Sequence, residues 1–409
     1  MIDNDIYPAT SEQAARGTGI RRFYAFKLMT EMQFTGGIWI LYLKHQGLSL
    51  AEIGLAESAF HLAPVLFELP SGSFADLVGR RWSLAIGGLL IAVSSLLLFF
   101  ADTLPIAMLA LFLNGASYSF RSGADQAYLY DSLGDRRETF GSILGKLMGV
   151  SYLVGGETIW LGASLSEISY SWPIGIAAAT GLAGAWLATG LTEGRAEPGM
   201  AAQRSARDHA RDAVQVLKER PGLVAVLLFS GGFWTANTIA FLYFQAAFSD
   251  RGLSNSAIGF ALAAGMVLTA LGSAAAGRVE HRVRFSRQLS VLAILSGLGT
   301  AGVALDPLVV AVAAYLAANL ATGLLDPLIF SWYNHQVPSG QRATLISVDS
   351  WLFSMTMIVS FPLAGWAAGH EGWAPVYLAC GAAQIGLTFF LLLVRLRRSR
   401  HPESTFRIS

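Results

Sequence analysis

The chain has 409 residues, of which 54% are apolar and only 13% are charged. A water-soluble protein of this size could not cover so much apolar surface with polar groups, so soluble enzymes and disordered chains are excluded. The net charge of +1 gives no case for nucleic-acid binding. The single cysteine, Cys380, excludes intrachain disulfides and cysteine-built metal sites. This composition indicates an integral membrane protein.

Apolar residues occur in twelve blocks, each long enough to cross the roughly 30 Å hydrocarbon core as a helix. Barrel strands are excluded because the blocks are too long and too uniformly apolar. We therefore expect an all-α fold with twelve transmembrane helices. The first 22 residues are polar, which argues against a cleaved signal peptide. The twelve blocks are 23–43, 52–75, 82–101, 106–130, 140–165, 172–192, 223–248, 256–277, 286–305, 308–333, 343–368 and 374–395.

An even number of spans places both termini on one side of the membrane. The loops on that side carry nearly all of the loop Lys and Arg residues, whereas the opposite loops carry only Lys44 and Arg251. This bias predicts cytoplasmic termini. The longest internal polar stretch, 193–222, predicts a cytoplasmic linker. It separates an N-terminal six-helix bundle, 1–192, from a C-terminal six-helix bundle with a basic cytoplasmic tail, 223–409.

The two halves repeat each other at an offset of about 200 residues. Gly72 begins GSFADLVGRR and Gly272 begins GSAAAGRVEHR, while Asp125 in the fourth block has a rough counterpart in Asp326 in the tenth. The acid at Asp76 is absent from the second copy, where Ala276 stands. Such repetition predicts two bundles related by a pseudo-twofold axis along the membrane normal.

The loop between the second and third blocks, from Gly72 through Asp76 and Gly79 to Arg80 and Arg81, resembles the signature loop (GxLaDrxGrr) of the major facilitator superfamily. With twelve spans, a central linker and a half-chain repeat, the resemblance covers nearly the whole chain. It implies alternating access, in which one half rocks against the other around a midplane site. It also implies that Asp76 faces the start of the eleventh helix, and that the two arginines pair with acids on neighbouring helix ends. This loop is thereby expected to form a gating latch.

Within the superfamily the chain is closest in style to bacterial twelve-helix drug–proton antiporters, with two departures. Those proteins often carry RxxQG in the fourth helix, where this chain has Asn114 and Gly115 and places its arginine later, at Arg121. They also often carry GPxxGG in the fifth helix, where this chain has repeated glycines without the proline.

Ionisable groups inside a span are costly, so each is a candidate for function. Glu31 lies near the middle of the first block, with Thr35 and Trp39 on the same helical face. We expect Glu31 or Asp125 to carry a proton and Arg121 to modulate it; a static Arg121–Asp125 ion pair is the alternative. In the fourth block one polar stripe, expected to face a water-filled cavity, contains Asn114, Tyr118, Arg121, Asp125 and Tyr128.

Further candidates lie in other blocks. Glu157 is expected to line the cavity or to pair with Arg121, and Asp326 precedes a proline where a helix bend is expected. Glu68 and Asp349 are expected to belong to the gating network. Aromatic residues expected near the cavity are Trp39, Tyr118, Trp234 and Tyr243.

The sequence favours a transporter over an enzyme. His370-Glu371 lacks the second histidine of HExxH, and GxSxG is absent. Proton-coupled efflux of a small amphipathic molecule is favoured, because of the acid in the first helix and the aromatic content. Proton symport or facilitated uptake of a small metabolite is the alternative, and a non-transporting receptor or scaffold is a third possibility.

The expected partners are a small-molecule substrate, protons and the lipid bilayer, with no nucleic acid and no cofactor. Short loops and the lack of targeting signals suggest a bacterial inner membrane. A monomer is expected, as is usual for the superfamily that the chain resembles.

Overall fold

The computed structural model describes residues 11–192, 221–280, 285–336 and 339–399, and within these ranges the regular structure is entirely helical. The N-terminal half contains α1 (Ser11–Glu31), α2 (Trp39–His45), α3 (Leu50–Val78), α4 (Arg80–Phe99), α5 (Leu104–Arg121), α6 (Ala124–Ser132), α7 (Phe140–Ser166) and α8 (Ser171–Thr189). The C-terminal half contains α9 (Pro221–Asp250), α10 (Asn255–Glu280), α11 (Phe285–Gly302), α12 (Leu308–Gln336), α13 (Ser339–Glu371) and α14 (Trp373–Ser399). A short 3-10 turn, Gly134–Thr139, precedes α7.

Each predicted block lies on a helix, but two blocks are split. The first is divided into α1 and α2 by residues 32–38, where the adjacent Gly36 and Gly37 weaken helix propensity. The fourth is divided into α5 and α6 at Ser122 and Gly123, where Gly123 has a φ of 78°, a value that favours glycine. The prediction of one continuous helix in each of these blocks is therefore wrong.

Seven of the helices in the described ranges are each long and apolar enough to cross a membrane. The first span falls short because it is divided and carries charged residues, including Lys27 and Glu31. The fourth is divided as well. The seven segments are Leu50–Glu68, Arg80–Phe99, Leu223–Asp250, Asn255–Gly277, Leu308–Ser331, Ser347–Glu371 and Trp373–Val394.

The two bundles repeat the same close helix crossings. A side chain at Gly88 of α4 would collide with the backbone of α8 near Ala185, and one at Gly297 of α11 would collide with the carbonyl of Gly381 in α14. Likewise, Gly115 of α5 abuts the backbone of α3, and Gly323 of α12 abuts the backbone of α10. Small residues allow such backbone contact in membrane bundles. These equivalent crossings express the pseudo-twofold symmetry of the bundles.

The halves contact each other through α3 against α13 and α7 against α10, two pairs that the pseudo-twofold axis exchanges. We call the end that carries the α2–α3 and α9–α10 loops the far end. There, Lys44 forms an ion pair with Asp250, and Ser164 Oγ lies 2.9 Å from Ser256 Oγ. The two halves are thereby joined at the far end.

At the opposite end, which we call the linker end, α7 stands apart from its neighbours on one face. Gly141, Gly145 and Gly149 lie four residues apart, and a Cβ at any of them would meet nothing within 4 Å. The predicted linker residues 193–220 lie outside the described residues, as do the side chains at the start of α13. Hydrogen bonds that join the halves on the far-end part of the bundle include those of Ser58, Gln245 and Asn255.

Candidate functional site

A cavity of about 510 Å³ lies against the break in the first span. Its walls come from α1, α3, α4, α5 and α6, and α9 adds Phe241 and Leu242 from the other half. The wall is polar and charged in a bundle that is otherwise apolar. Its ionisable and amide side chains are Lys27, Glu31, Gln33, Glu57, Asn114, Arg121, Asp125 and Gln126.

The break in the first span is held open by side chains from other helices. Thr158 Oγ1 of α7 accepts a hydrogen bond from the Gln33 amide at 2.8 Å. Gln245 Nε2 of α9 donates to the Gly36 carbonyl at 2.8 Å, and its Oε1 accepts from the Ile40 amide at 3.3 Å. Non-helical backbone at membrane depth needs such partners, because lipid supplies none. The break places Gln33 and Thr35 on the cavity wall.

Four charged side chains form a continuous network on this wall. Lys27 Nζ lies 2.7 Å from Glu31 Oε1 and 2.7 Å from Asp125 Oδ2. Arg121 Nη1 lies 3.6 Å from the same oxygen of Glu31, and it also donates to the Thr30 carbonyl at 3.3 Å. Two cations thus neutralise two acids across three helices, α1, α5 and α6. We call these four residues the ion network.

The Arg121–Asp125 ion pair considered from the sequence is not formed. The turn at Ser122 and Gly123 separates the two residues into different helices, so they no longer lie on one helical face. Arg121 contacts Glu31 instead, and Asp125 contacts Lys27. Lys27 was not predicted as a site residue, although its position four residues before Glu31 was a usable signal.

The remaining polar-stripe residues are divided between two environments. Asn114 and Tyr118 line the cavity, as do Thr35 and Trp39 from the first span. Tyr128 does not, because it is buried where α6 packs on α1 and its ring stacks on Phe23 with centroids 5.2 Å apart. The turn at Gly123 again explains this, since it redirects the part of the stripe that follows it.

Two predicted cavity aromatics lie elsewhere in the C-terminal half. Trp234 packs edge-on against Phe233, with centroids 5.6 Å apart, beside a buried cluster of α9, α11 and α12. Tyr243 is fully buried and stacks on Phe361 at 4.3 Å. Its hydroxyl contacts the carbonyl oxygens of Leu50 and Phe361, so it joins the two halves at the far end.

Asp326 of α12 faces the same region from the C-terminal half. Its side chain is exposed, and it is not on the wall of the described cavity. Tyr152 of α7 lies within electrostatic range of Asp326, Glu31 and Tyr118. Acids from both halves therefore approach one space, and Tyr152 lies among them. Tyr152 was not among the predicted site residues.

Glu157 does not contact the ion network. It is exposed on α7 and is absent from the wall of the described cavity, and Arg121 makes its ion pair with Glu31. Its neighbours Gly155 and Gly156 lie against Gln33 of the first span and Ala263 of α10. This part of α7, directly before Glu157, therefore packs between the two halves.

The signature loop adopts a sharp turn at the linker end. Gly79 has a φ of 117° and connects α3 directly to α4. Arg80 donates to the Ala127 carbonyl at 2.7 Å and pairs with Asp131, which ties α4 to α6. Arg81 lies 5.2 Å from the ring centre of Trp82.

The remaining gating candidates lie on both sides of this loop. Glu68, Gly72 and Asp76 are exposed along α3. The expected partner of Asp76, at the start of α13, has side chains outside the described residues. Asp349 accepts a hydrogen bond from Ser230 Oγ of α9 at 3.2 Å, a contact inside the C-terminal half.

No group of three or more His, Cys, Asp or Glu side chains that could hold a metal ion occurs among the described residues. The two cations and two carboxylates of the ion network can pair with other charges, and the carboxylates can exchange protons.

Comparison with known proteins agrees with this architecture. The profile of the Major Facilitator Superfamily matches residues 23–305 and 246–408. The chain is 24% identical over 378 residues to the uncharacterised MFS-type transporter YxaM of Bacillus subtilis (strain 168), covering 87% of this chain and 91% of that protein. It is 29% identical over 171 residues to the gallate transporter of Pseudomonas putida, covering 40% of this chain and 37% of that one.

Solved structures share the fold at low sequence identity. A variant of the nucleoside transporter NupG superposes with a TM-score of 0.77 at 15% identity, covering 93% of this chain and 99% of that one. The D-xylose–proton symporter superposes with a TM-score of 0.68 at 14% identity, covering 92% and 96%. The profile match and the twelve-span, two-bundle fold together make this chain a multi-pass membrane transporter that belongs to the major facilitator superfamily.

Proposed function

We propose that this chain is a proton-coupled secondary transporter that moves a small organic anion by alternating access, and that the ion network is its coupling site. The observation that carries the proposal is the sharing of Lys27 between Glu31 and Asp125, at 2.7 Å from each. In this arrangement every charge of the network has a partner, so a new charge can enter only if an existing one is neutralised.

The coupling follows from charge balance. When a proton binds Glu31 or Asp125, one negative charge disappears, and Lys27 or Arg121 loses a partner. A buried cation without a partner is costly, and a substrate carboxylate can take the vacant place. Proton and anion then cross together as a neutral pair. Without the proton, the carboxylate would meet an already neutral network.

The rest of the wall suits a small aromatic acid. Trp39 and Tyr118 offer ring faces, while Gln33 and Asn114 offer amide groups for hydroxyl substituents. The partial similarity to the gallate transporter of Pseudomonas putida supports the same substrate class. Opposed acids on two halves, Glu31 and Asp326, suit a site that is contacted alternately from either side.

The orientation belongs to this proposal as well. We propose that the termini are cytoplasmic, which the excess of basic residues in the linker-end loops supports, and that the multi-pass chain lies in a bacterial inner membrane and acts as a monomer. The described far-end contacts then correspond to closure on the outer side. The division into bundles 1–192 and 223–409, with a cytoplasmic linker between them, is part of the same proposal.

A second candidate function is proton-driven efflux of an amphipathic cation. The favouring observation is that Glu31 and Asp125 lie beside exposed aromatic surface, Tyr118 being 55% exposed. A cationic substrate would compete with protons for the two carboxylates and would release a proton that either of them holds. The sign of proton exchange therefore separates the two candidates.

The test measures pH in a weakly buffered solution of purified protein while a probe is added. Gallate should cause proton uptake, and the change should disappear in Glu31→Gln or Asp125→Asn. Tetraphenylphosphonium should cause proton release if efflux is correct. Glu52→Gln, which removes an exposed acid at the far-end start of α3, is the matched control. Binding of gallate without proton uptake would contradict symport and would indicate a facilitator.

A further inference from the structure

Two ionisable side chains on α3 lie buried outside the ion network. Glu57 and His61 are 7% and 5% exposed, and they lie one helical turn apart. His61 Nε2 lies 3.5 Å from Glu57 Oε1, without the geometry of a hydrogen bond, and this buried nitrogen has no hydrogen-bond partner. The two ionisable groups therefore lie side by side.

The pair lies where the two halves close. We define the α3–α13 seam by Gly54, Ser58 and His61 on α3 and by Phe353, Ile358 and Pro362 on α13. Ser58 Oγ donates to the Ile358 carbonyl at 2.8 Å, and Gly54 abuts the backbone of Pro362. The His61 ring packs edge-on against Phe60 and Phe353, with centroids 5.2 and 5.4 Å away. An apolar seam thus encloses the imidazole.

Protons can reach the pair through the cavity. Glu57 is part of the cavity wall, so its carboxyl group meets the space that contains the ion network. From α9, Tyr243 lies within electrostatic range of Glu57 while its hydroxyl contacts backbone carbonyls. Tyr118 of α5 lines the same cavity.

Other charged or titratable groups on elements that pack against α3 have contacts of their own or, like Glu371 at the end of α13, are exposed. Arg121 contacts Glu31, Asp125 contacts Lys27, Lys44 contacts Asp250, Arg80 contacts Asp131, Asp349 contacts Ser230, His45 packs on Tyr170, and His370 contacts the Trp366 carbonyl. They therefore do not compensate a net charge at the pair.

The number of protons on the pair sets its net charge. With one proton the pair is neutral overall, whether the proton is on the carboxyl or makes an imidazolium beside a carboxylate. With two protons it carries +1, and with none it carries −1. Both side chains are more than nine-tenths buried, so a net charge on the pair is unfavourable while the seam is closed, and hydration relieves it. The form with no net charge therefore favours the closed seam.

We propose that Glu57 and His61 form a proton-binding site that controls the far-end closure: the α3–α13 seam closes when the pair holds one proton and opens when the pair gains or loses one. This rests on the transport function proposed above, and it assigns the gating proton to a site distinct from the ion network. Opening at the outer side would expose the pair to water, where the proton can exchange.

The experiment measures far-end opening without substrate. Spin labels are placed at Thr103→Cys and Glu371→Cys, exposed far-end positions of the two halves, in a Cys380→Ala background. Pulsed electron paramagnetic resonance then gives the ratio of open to closed molecules in nanodiscs across a pH series. The wild-type ratio of open to closed molecules should pass through a minimum as the pH changes. On the acid side and on the alkaline side of this minimum, which we call the acid limb and the alkaline limb, the ratio should rise by up to about tenfold per pH unit, as expected for one proton.

Each variant should remove one limb. Glu57→Gln leaves only the imidazole, which can be neutral or positive but never negative, so the alkaline limb should disappear and the acid limb should remain. His61→Gln leaves only the carboxyl, so the acid limb should disappear and the alkaline limb should remain. The double variant should give a flat profile, and Glu52→Gln, on the exposed start of the same helix, should keep both limbs.

A flat wild-type profile, or limbs that survive in both single variants, would overturn the proposal. If one single variant fails to fold, the other variant and the double variant still decide it. Loss of both limbs in Glu31→Gln, with both retained in Glu57→Gln, would assign the gating proton to the ion network instead. A transport defect in Glu31→Gln with both limbs intact would affect only the proposed coupling site.

Discussion

Lys27 Nζ contacts Glu31 and Asp125 at the same distance, 2.7 Å, and so joins two acids from two different helices through one cation. Glu31 lies on the same helix as Lys27, whereas Asp125 follows the turn at Gly123. The Lys27 side chain therefore connects α1, which precedes the break in the first span, to α6, which follows the break in the fourth span.

Replacing Lys27 by methionine should leave the two acids without their shared partner. Breaking a fully buried pair costs about 3–5 kcal/mol, and the cost here should be smaller because cavity water reaches these groups. We expect a lower midpoint of thermal unfolding and loss of proton-coupled transport. The double variant Lys27→Met/Asp125→Asn should regain most of the stability but not the transport. Equal stability of wild type and Lys27→Met would contradict the network.

Gln245 should contribute more to the stability of the fold than a glutamine that makes a single hydrogen bond. Gln245→Leu leaves the Gly36 carbonyl and the Ile40 amide without their hydrogen bonds. Each unsatisfied buried group costs about 1–3 kcal/mol, so a substantial fall in the unfolding midpoint is expected. Gln46→Leu is the control, because Gln46 contacts only the Tyr42 hydroxyl in a half-buried place. Similar midpoints for the two variants would disprove the bracing role.

The pseudo-twofold repeat predicts matched effects at matched glycines. A Cβ at Gly88 would lie 2.6 Å from the Ala185 amide nitrogen, and one at Gly297 would lie 2.7 Å from the Ile385 side chain. Overpacking of this kind costs about 1–3 kcal/mol, so both alanine variants should lower the unfolding midpoint. Gly175→Ala meets nothing within 4 Å and should leave the midpoint unchanged or raise it slightly. Destabilisation at one half only would argue against equivalent packing.

The far-end ion pair should have a modest effect on closure. Lys44→Met removes an exposed partner of Asp250, and such pairs contribute about 0–1 kcal/mol. The open fraction, measured by the far-end spin labels, should rise by no more than about fivefold. Asp250→Ala should have the larger effect, because it also removes the acceptor for Trp373 Nε1 at 2.9 Å. A larger effect from Lys44→Met would reverse this ranking.

The helices and their packing were largely predictable from the sequence, whereas the site was predictable only in part. Long apolar blocks leave no alternative to helices in lipid, and the signature loop from Gly72 to Arg81 indicates the family. The positions of Asn114 and Tyr118 followed from helical spacing, since both precede the turn in the fourth span. The position of Tyr128 could not be predicted from helical spacing, because α5 ends at Arg121 and Tyr128 lies on the next helix.

Other residues required knowledge of tertiary contacts. Tyr243 joins the halves through Leu50, nearly two hundred positions away in the sequence, and no local pattern signals that. Glu57 and His61 stand one turn apart in the second block, a spacing that could have been noticed. Their burial depends on Phe353 from the other half, which only the fold brings near.

The hydrogen bonds of Gln245 have a mechanical consequence for the first span. This residue belongs to the C-terminal half, yet it forms hydrogen bonds with residues 36 and 40 of the N-terminal half, at the far-end part of the break and just beyond it. When the far end separates, either those bonds rupture or α2 is pulled along with α9. In the second case the displacement is absorbed by backbone torsions within residues 32–35, directly after Glu31. The break then acts as a hinge. It converts movement at one face of the membrane into rotation beside the ion network.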